Sequence, residues 1–300
     1  MRLATMTSLF REKRGADDHI SYIESIQRCK DTGFSVLDFN MCAMIHNKTE
    51  LNGSNWEAEL EKIKIAAQNL GVEFSQSHLP YLPGNKLFPA GSEEEAFFNE
   101  ITWRSLIVSH ELGVKAAVVH PLTEQVFEEH NEEANLNLNH QFYDSIVEEA
   151  VKRNVNIAFE NMVDTNIKRR FGSIAEELIT LVDSFNDSHV GVCWDIGHAN
   201  RMYKSQVRPL RLLGERIIAL HVDDNYGLTD DHLLPFLGNI DWETIMSLLT
   251  EIGYKGDFVY EIKTNNYMPD ELKNVTAEFC YKVGEYLLSL GNAPKSGEVK

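Results

Sequence analysis

Six side chains of metal-binding type stand at or near the ends of six consecutive apolar runs in this sequence. The runs are VEFSQSH, VKAAVVH, VNIAFEN, HVGVCWD, RIIALHV and DFVYEIK. The ionisable residues at their ends are His78, His120, Glu160, Asp195, His221 and Glu261. Gathering two glutamates, an aspartate and several histidines at one edge costs several kcal/mol in repulsion and desolvation unless a cation neutralises them. The pattern therefore predicts a divalent metal site.

Each of these residues, taken alone, has a simpler explanation. A histidine at the end of a strand is more often a hydrogen-bonded neutral group than a ligand. A glutamate at such a position can pair with a lysine or cap the next helix. Six such residues in succession favour the metal site, provided that the six ends lie at one rim.

Three further residues fit the same site. His198 follows Asp195 by three residues, where a loop or a first helical turn can aim it at the same centre. In the segment TDDHLLPFLGNIDW, Asp230 and His232 stand two apart. That spacing sends both side chains to one side of an extended chain and turns Asp231 away. The alternative for this segment is a polar, solvated turn.

The elements that must position these residues alternate regularly along the chain. Eight short apolar runs are predicted as strands, beginning with RLATMTSLF and FSVLDFN, and each precedes a segment of helical periodicity such as NWEAELEKIKIAAQNLG. Such alternation predicts parallel strands joined by crossover helices. Eight units without a composition break favour a closed (β/α)8 TIM barrel over an open sheet. No GxGxxG motif follows the first strand to indicate dinucleotide binding.

We expect a single α/β barrel over residues 1–290, with its active site at the C-terminal rim of the strands. The last ten residues, GNAPKSGEVK at 291–300, have no periodicity and are expected to form a flexible tail. Two long segments, residues 79–91 and 223–240, follow the third and seventh strands, where barrels build their sites.

The composition is that of a globular protein with a large core. Apolar residues make up 43% and charged residues 25% of the 300 residues, and the net charge is −18. This acidity disfavours a broad surface for nucleic acid or anionic membrane. No run approaches the ~20 apolar residues of a membrane helix, and the N-terminal segment lacks a signal-peptide pattern. The four widely spaced cysteines are expected to be free thiols in a reducing cytoplasm. They are Cys29, Cys42, Cys193 and Cys280.

Taken together, the strand-end motifs resemble those of the xylose-isomerase-like superfamily of (β/α)8 barrels. This superfamily includes sugar isomerases and epimerases, inosose dehydratases and DNA-repair enzymes of the endonuclease IV type. The resemblance extends over nearly the whole chain and is carried by SHLPY, VVHP, AFENM, WDIGHAN, LHVDDN, DDHLLPFLGNIDW and VYEIK. Each motif alone is weak, but jointly they are specific.

The resemblance implies a set of ligands. In the sugar epimerases of this superfamily, four residues of the type Glu, Asp, His, Glu hold one Mn²⁺, Co²⁺ or Mg²⁺, and the two glutamates also act as the acid/base pair. The matching residues here are Glu160, Asp195, His221 and Glu261. In the endonuclease IV branch the same positions and five more hold three zinc ions. The five matches, which are candidates for substrate binding or a second metal, are His78, His120, His198, Asp230 and His232.

The loops separate the two branches. The DNA-repair members need Lys or Arg on the loops that contact the duplex. Here LPYLPGNKLFPAGSEEE is apolar and then acidic, and PLTEQVFEEHNEE contains five glutamates and no Lys or Arg. The basic cluster on this face is Lys168, Arg169 and Arg170, which is either a solvated charge run or a holder of a substrate oxygen or phosphate. Nucleic acid is therefore a disfavoured partner.

We expect a cytoplasmic, metal-dependent isomerase or epimerase that acts on a small sugar, sugar phosphate or keto-polyol. Metal on adjacent substrate oxygens would stabilise an enediolate, while one glutamate removes a proton and the other returns it. The oxygen-rich set favours Mn²⁺, Mg²⁺ or Co²⁺, and the surrounding histidines allow zinc or a second ion. The alternatives are an endonuclease IV-type zinc phosphodiesterase acting on abasic DNA and a silent barrel that only binds a ligand. Members of the superfamily are often dimers or tetramers, so the sequence is compatible with a homo-oligomer.

Two expectations concern individual side chains at the mouth. Glu160 and Glu261 lie on strands three apart around the ring, so we expect them to face one another with a small substrate between them and to transfer the proton. The alternative is that both are ligands only, and that His198 or a water moves the proton. The aromatic residues that are candidates to cover a sugar, or to pack in the barrel, are Tyr81, Phe88 and Trp242.

Overall fold

Eight parallel strands alternate with helices in the computed structural model, which describes residues 1–11, 20–82, 87–124, 130–165, 168–263 and 268–291. The strands are β1 (Leu3–Met6), β2 (Val36–Asn40), β3 (Glu73–His78), β4 (Ala116–Val119), β5 (Asn156–Glu160), β6 (Val190–Asp195), β7 (Ile217–His221) and β8 (Phe258–Tyr260). The α-helices are α1 (Ser8–Arg11), α2 (Tyr22–Asp31), α3 (Trp56–Leu70), α4 (Glu93–Glu111), α5 (Glu132–Lys152), α6 (Ala175–Ser184), α7 (Ile196–Met202), α8 (Val207–Leu213), α9 (Trp242–Glu251) and α10 (Asp270–Gly291).

The strands close into a barrel. Their order in the sheet is β7-β6-β5-β4-β3-β2-β1-β8, and every neighbouring pair is parallel. The remaining seam, between β7 and β8, is joined just beyond the end of β7. There the amide of Val222 donates to the carbonyl of Val259 at 2.9 Å, and the amide of Glu261 donates to the carbonyl of Val222 at 3.0 Å. The (β/α)8 barrel predicted from the alternating pattern is confirmed.

Parallel pairing brings the carboxyl ends of all strands to one rim. In β6 every residue after Val190 is buried, as expected for a strand enclosed by helices outside and by packed side chains inside. The strand register then sets which side chains are neighbours. Asp195 is the partner of His221, and Asn40 is the partner of His78. Residues far apart in sequence therefore meet at the mouth because they occupy equivalent positions on adjacent strands.

Several predicted boundaries were wrong by a few residues. The first strand stops at Met6, because the chain turns at Thr7 into the short helix α1 instead of extending through RLATMTSLF. β4 and β8 end one residue before His120 and Glu261, so these two side chains stand on the first residue of a loop. The expected tail of 291–300 lies outside the described residues, apart from Gly291 at the end of α10.

The helical segment predicted after the sixth strand is two short helices, α7 and α8. Tyr203 leaves the helical region with φ −129° and ψ 140°, which ends α7. Pro209 is the third residue of α8, within the first turn, where its missing N–H removes no intrahelical hydrogen bond. The break turns the chain directly after the residues that α7 positions at the rim.

Two expectations about the whole chain can be compared with the structure. Among the described residues there is no helix with the length and apolar character required to cross a bilayer. All four cysteines are free: Cys29, Cys193 and Cys280 are buried, and Cys42 is partly buried.

Candidate active site

A cavity of about 640 Å³ opens at the C-terminal rim of the barrel. Seven of the nine predicted site residues line it, namely His78, His120, Glu160, His198, Asp230, His232 and Glu261. The other two, Asp195 and His221, are fully buried and lie at the ends of β6 and β7 beneath the cavity. All nine are therefore gathered at one end of the barrel.

The set Glu160, Asp195, His221 and Glu261 converges on one point. Nδ1 of His221 lies 3.0 Å from Oε1 of Glu160 and 2.9 Å from Oε2 of Glu261. One candidate ligand atom from each of the four residues lies within 4.8 Å of the others. Ligands at about 2.0–2.2 Å from a common ion are themselves about 3–4 Å apart. The donor set therefore fits a single divalent cation.

Asp195 has two roles that explain the WDIGH motif. One carboxylate oxygen, Oδ1, accepts the backbone N–H of His198 at 2.6 Å and caps the N-terminus of α7. The other oxygen, Oδ2, is buried and has no hydrogen-bond partner among the described residues. The cap fixes the carboxylate, and the unpartnered oxygen is left for a cation.

Glu160 also belongs to a second group, with His78 and His120. Its Oε2 lies 3.3 Å from Nε2 of His78 and 3.0 Å from Nε2 of His120, and the two Nε2 atoms are 3.1 Å apart. Nδ1 of His78 is held at 2.8 Å from the carbonyl of Leu79 and 3.2 Å from Sγ of Cys42. Because Glu160 has one oxygen in each group, it would be a ligand of a cation held by either group.

A third group is formed by His198, Asp230 and His232. Oδ2 of Asp230 lies 3.4 Å from Nε2 of His198 and 3.2 Å from Nε2 of His232. The Nδ1 atoms of these rings lie 2.8 Å and 2.9 Å from the backbone carbonyls of Asn161 and Glu261. A ring that donates Nδ1–H to a carbonyl leaves Nε2 available as a ligand. His232 has φ 47°, an uncommon conformation for a residue that is not glycine or asparagine.

Two buried aspartates at the site did not emerge from the sequence pattern. Asp38 lies inside the barrel on β2, with Oδ2 3.9 Å from Nε2 of His221. Asp223 follows β7, and a Cβ on Gly197 would lie 2.0 Å from its Oδ1. The carboxylate oxygens of both are without hydrogen-bond partners in the described part of the chain. The available signal was a carboxylate within an apolar run in FSVLDFN, and a doubled aspartate in LHVDDN.

The carboxylates of the centre differ in the direction of their pKa shifts. Burial raises the pKa of Glu160, but the neighbouring histidines, His221 first, outweigh burial and hold that pKa well below its usual value. For Glu261 burial is likewise outweighed by His221, which lowers the pKa to about 2. Burial dominates at Asp195 and, with the charges of Glu160 and Glu261, raises its pKa to about 7. The negative charge thus resides mainly on the two glutamates, and Asp195, with a pKa raised to about 7, is only partly ionised near neutral pH, so that cation binding releases a proton from it.

Metal affinity is therefore expected to rise with pH. The pKa of His221 is also raised well above its usual value, because Cys193 and the two glutamates outweigh its burial. A raised pKa means that the proton stays bound at lower pH and competes with the cation. Each displaced proton changes the affinity by up to about tenfold per pH unit. We expect Mn²⁺ affinity to increase by about tenfold or more from pH 6 to pH 8, with proton release measurable by titration calorimetry in buffers of different ionisation enthalpy. A pH-independent affinity without proton release would contradict this assignment of charges.

The three aromatic candidates for sugar contact differ in their position relative to the cavity. Tyr81 lines the cavity and stacks on His120, with ring centroids 4.8 Å apart. Trp242 is buried at the start of α9 and donates Nε1–H to Asp224 at 2.9 Å, so it is barrel packing. Phe88 packs against Phe98 away from the cavity. Of the three, Tyr81 alone is in a position to contact a ligand of this cavity.

Glu160 and Glu261 lie closer together than the sequence predicted. Their nearest ligand oxygens lie within 4.8 Å of one another, which leaves no room for a sugar directly between them. The Glu160 side chain is 2% exposed and the Glu261 side chain 20% exposed. A substrate must therefore approach from the cavity, above both carboxylates.

The family model for the xylose isomerase-like TIM barrel matches residues 26–280 of the chain. A D-psicose 3-epimerase of Enterocloster bolteae is 31% identical over 86 residues, which cover 29% of this chain and 27% of that protein. The chain spans about half the length, or less, of the curated relatives that it matches first, with 40% and 52% of those relatives aligned.

Solved structures resemble the chain over almost its full length. A D-tagatose 3-epimerase-like protein has a TM-score of 0.72 at 22% identity, covering 97% of this chain and 98% of that one. The IolI protein, solved with a zinc atom, has a TM-score of 0.71 at 18% identity, covering 99% and 100% of the two chains. At these identities the structural likeness establishes the fold.

Proposed function

Because the chain belongs to the xylose isomerase-like TIM barrel family, we propose that it is a divalent-metal-dependent isomerase or epimerase of a small sugar. The observation that supports this most strongly is the convergence of Glu160, Asp195, His221 and Glu261, whose ligand atoms lie within 4.8 Å of one another below a cavity of about 640 Å³. A cavity of this size accommodates a monosaccharide. The D-psicose 3-epimerase that part of the chain matches acts on a sugar of that kind.

The four residues would hold the cation, which would supply positive charge at adjacent substrate oxygens and so make a neighbouring C–H acidic near neutral pH. The donor set of three carboxylates and one imidazole suits Mn²⁺, Mg²⁺ or Co²⁺. Two further histidine-containing groups and the zinc in the IolI structure make zinc, or a second ion, a competing occupant.

The two glutamates are proposed to move the proton. Both have a lowered pKa, so both are ionised near neutral pH and ready to accept a proton from carbon. Glu160 ends β5, and Glu261 directly follows β8 with its amide bonded to the carbonyl of Val222, so the barrel fixes the backbone of both. One carboxylate removes a proton from a substrate carbon, and the second, once it has taken a proton from the solvent, returns a proton to the substrate. Returning it to the opposite face of the same carbon is epimerisation, and returning it to the neighbouring carbon is isomerisation.

The chain's other groups orient the substrate and exclude water. His78 and His120 present ring nitrogens to the cavity, and Tyr81 covers one wall beside His120. His198 and His232 present Nε2 on the other side, around Asp230. Hydroxyl groups of a sugar can donate to these acceptors or accept from the protonated rings.

A second candidate function is the endonuclease IV-type phosphodiesterase. The observation in its favour is that all nine matching residues gather at one rim, where Glu160 is shared between two groups and Asp230 lies between His198 and His232. Against it stands the acidity of the first turn of α4, where Glu93, Glu94 and Glu95 are consecutive. A phosphodiester backbone would be repelled there.

One experiment separates these functions. The metal-reconstituted protein is given a panel of ketoses and aldoses, and, separately, duplex DNA with an abasic site. We expect interconversion of at least one sugar pair that stops on chelation, and no nicking of the DNA. Nicking without sugar turnover, with about three zinc ions per chain, would replace the proposed function by the phosphodiesterase. Ligand binding without turnover of either substrate would leave a silent barrel.

A further inference from the structure

Three basic side chains line the cavity: Lys168, Arg170 and Lys263. None of them forms an ion pair with a carboxylate within the described ranges. Elsewhere most arginines do form such pairs, for example Arg208 with Glu176 and Arg211 with Glu251. Acidic residues outnumber basic ones in this chain, 46 to 28, so a basic side chain has many possible carboxylate partners. Basic side chains that line the cavity without such a partner are therefore unusual.

The segment 168–170 is not a solvated charge run, because its side chains alternate between two environments. Arg169 points away from the cavity and pairs with Glu177 at 2.5 Å. Lys168 and Arg170, on either side of it, both line the cavity. Nζ of Lys168 donates to the carbonyl of Glu124 at 2.6 Å, and its charge has no counter-ion among the residues that the structure describes.

The backbone around Arg170 is held at several points. Its amide donates to Oδ1 of Asp164 at 2.9 Å, and the amide of Phe171 donates to Oγ1 of Thr123 at 2.9 Å. The amide of Gly172, which has φ 81°, donates to Oε2 of Glu177 at 2.9 Å. A Cβ on Gly172 would lie 2.9 Å from Cγ of Pro121. The loop is thus built to present Arg170 in one position.

The guanidinium of Arg170 is only partly exposed and makes no hydrogen bond or ion pair within the described part of the chain. Burial lowers its pKa, although Glu160, Asp164 and Tyr81 attract the charge. An arginine keeps its charge in a protein, and a desolvated charge without a partner is unfavourable. Planar N–H pairs of a guanidinium match the oxygens of a phosphate or carboxylate.

We infer that the substrate carries an anionic oxygen group, as in a sugar phosphate or a sugar acid, which Arg170 and Lys168 hold beside Tyr81 at the mouth. The inference rests on the proposed function and deepens it by naming the substrate class. The anion is the counter-ion of these two cations. The uncharged part of the sugar reaches the carboxylates below. Lys263 lies by His232, on the other side of the mouth, and is not part of this subsite.

The inference is tested with the metal-loaded protein and matched ketoses: a ketohexose, its 6-phosphate and the corresponding hexuronate. The variants are Arg170→Gln, Arg170→Lys and, as a surface control with the same change of charge, Arg208→Gln. We expect the anionic substrate to have a kcat/KM about 10–100-fold higher than the neutral one, as a charge-assisted hydrogen bond provides. Arg170→Gln should remove that preference, lowering kcat/KM for the anionic substrate about 10–100-fold more than for the neutral one. Arg170→Lys should keep part of it, and Arg208→Gln all of it.

Binding of inorganic phosphate, measured by calorimetry after free metal is removed, separates this inference from the proposed function. Phosphate binding that Arg170→Gln abolishes, without turnover of any sugar, would keep the anion subsite and reject the isomerase. Preference for the hexuronate would assign the anion as a carboxylate. Equal turnover of neutral and anionic sugars, with Arg170→Gln lowering both alike, would overturn the inference and place Arg170 with the metal centre instead. Absence of both turnover and phosphate binding would overturn the two together.

Discussion

Replacing Glu160 or Glu261 by Gln is expected to lower substrate C–H exchange with solvent deuterium by on the order of 10² to 10⁴-fold, the usual contribution of a positioned acid or base. Gln keeps the size of the side chain and one coordinating oxygen but cannot take a proton. The two carboxylates are the ionised pair of the centre, with pKa values lowered by His221 and its neighbours against the effect of burial. Exchange is measured by NMR on metal-loaded protein, and metal content is measured in parallel.

The matched control is Glu251→Gln, which removes a carboxylate that pairs with Arg211 on the surface. It should exchange at the wild-type rate. The two site variants need not respond equally: Glu160 also faces His78 and His120, so its loss should reduce metal content more than the loss of Glu261. If both variants retain metal and exchange within about tenfold of wild type, a barrier change of only ~1.4 kcal/mol, the glutamates are ligands only.

Replacing His221 by Ala is expected to weaken metal binding by more than about 100-fold, since losing even an outer partner of a ligand costs about 10–100-fold. His221 is the one imidazole in the central set, and its Nδ1 lies within 3.0 Å of an oxygen of each glutamate. Without the ring the carboxylates repel one another, so the metal-free variant should also be less stable, by about 3–5 kcal/mol for a broken buried pair. Metal competition titrations and thermal unfolding measure the two effects.

The control for that variant is His140→Ala on the exposed side of α5, where the ring contacts Asp144 and Ser184. It should bind metal as the wild type does. Bound metal should raise the unfolding midpoint of the wild type. At a metal concentration 100 times Kd, binding adds about 2.7 kcal/mol to the free energy of unfolding. A His221→Ala protein with wild-type affinity and the same shift of the midpoint would show that the ion binds elsewhere, for example between His78 and His120.

The part of this site that could be predicted from the sequence is the part that repeats. A parallel strand enclosed on both faces is an apolar run, so a terminal charged residue such as Glu160 stands out, and parallel pairing sends every such end to one rim. The spacing of three residues also placed His198 near Asp195, and the structure gives the reason, since Asp195 caps the helix that starts at the strand end. Repetition across six strands made the metal interpretation specific before any contact was known.

What could not be predicted depends on side-chain direction and strand register. Asp38 and Asp223 give no periodic signal in the sequence. Each is a single acid, and whether it is buried depends on the direction in which its side chain points from the strand or loop. In the basic cluster the sequence could not say that Arg169 turns out to Glu177 while Arg170 turns in. Trp242 begins a helix near the mouth, and its contact with Asp224, not its position in the chain, decides that it packs in the barrel.

A single comparison decides whether this chain catalyses metal-dependent proton transfer. The protein is stripped with a chelator, divided, and one half reloaded with Mn²⁺; both halves are incubated with a panel of keto-sugars, neutral and anionic, in D₂O. We predict that a C–H beside the carbonyl of at least one sugar exchanges with solvent in the reloaded half, and that exchange in the stripped half is slower by at least about 10²-fold. No exchange in the reloaded half, or equal exchange in both halves, would contradict the assignment of this site.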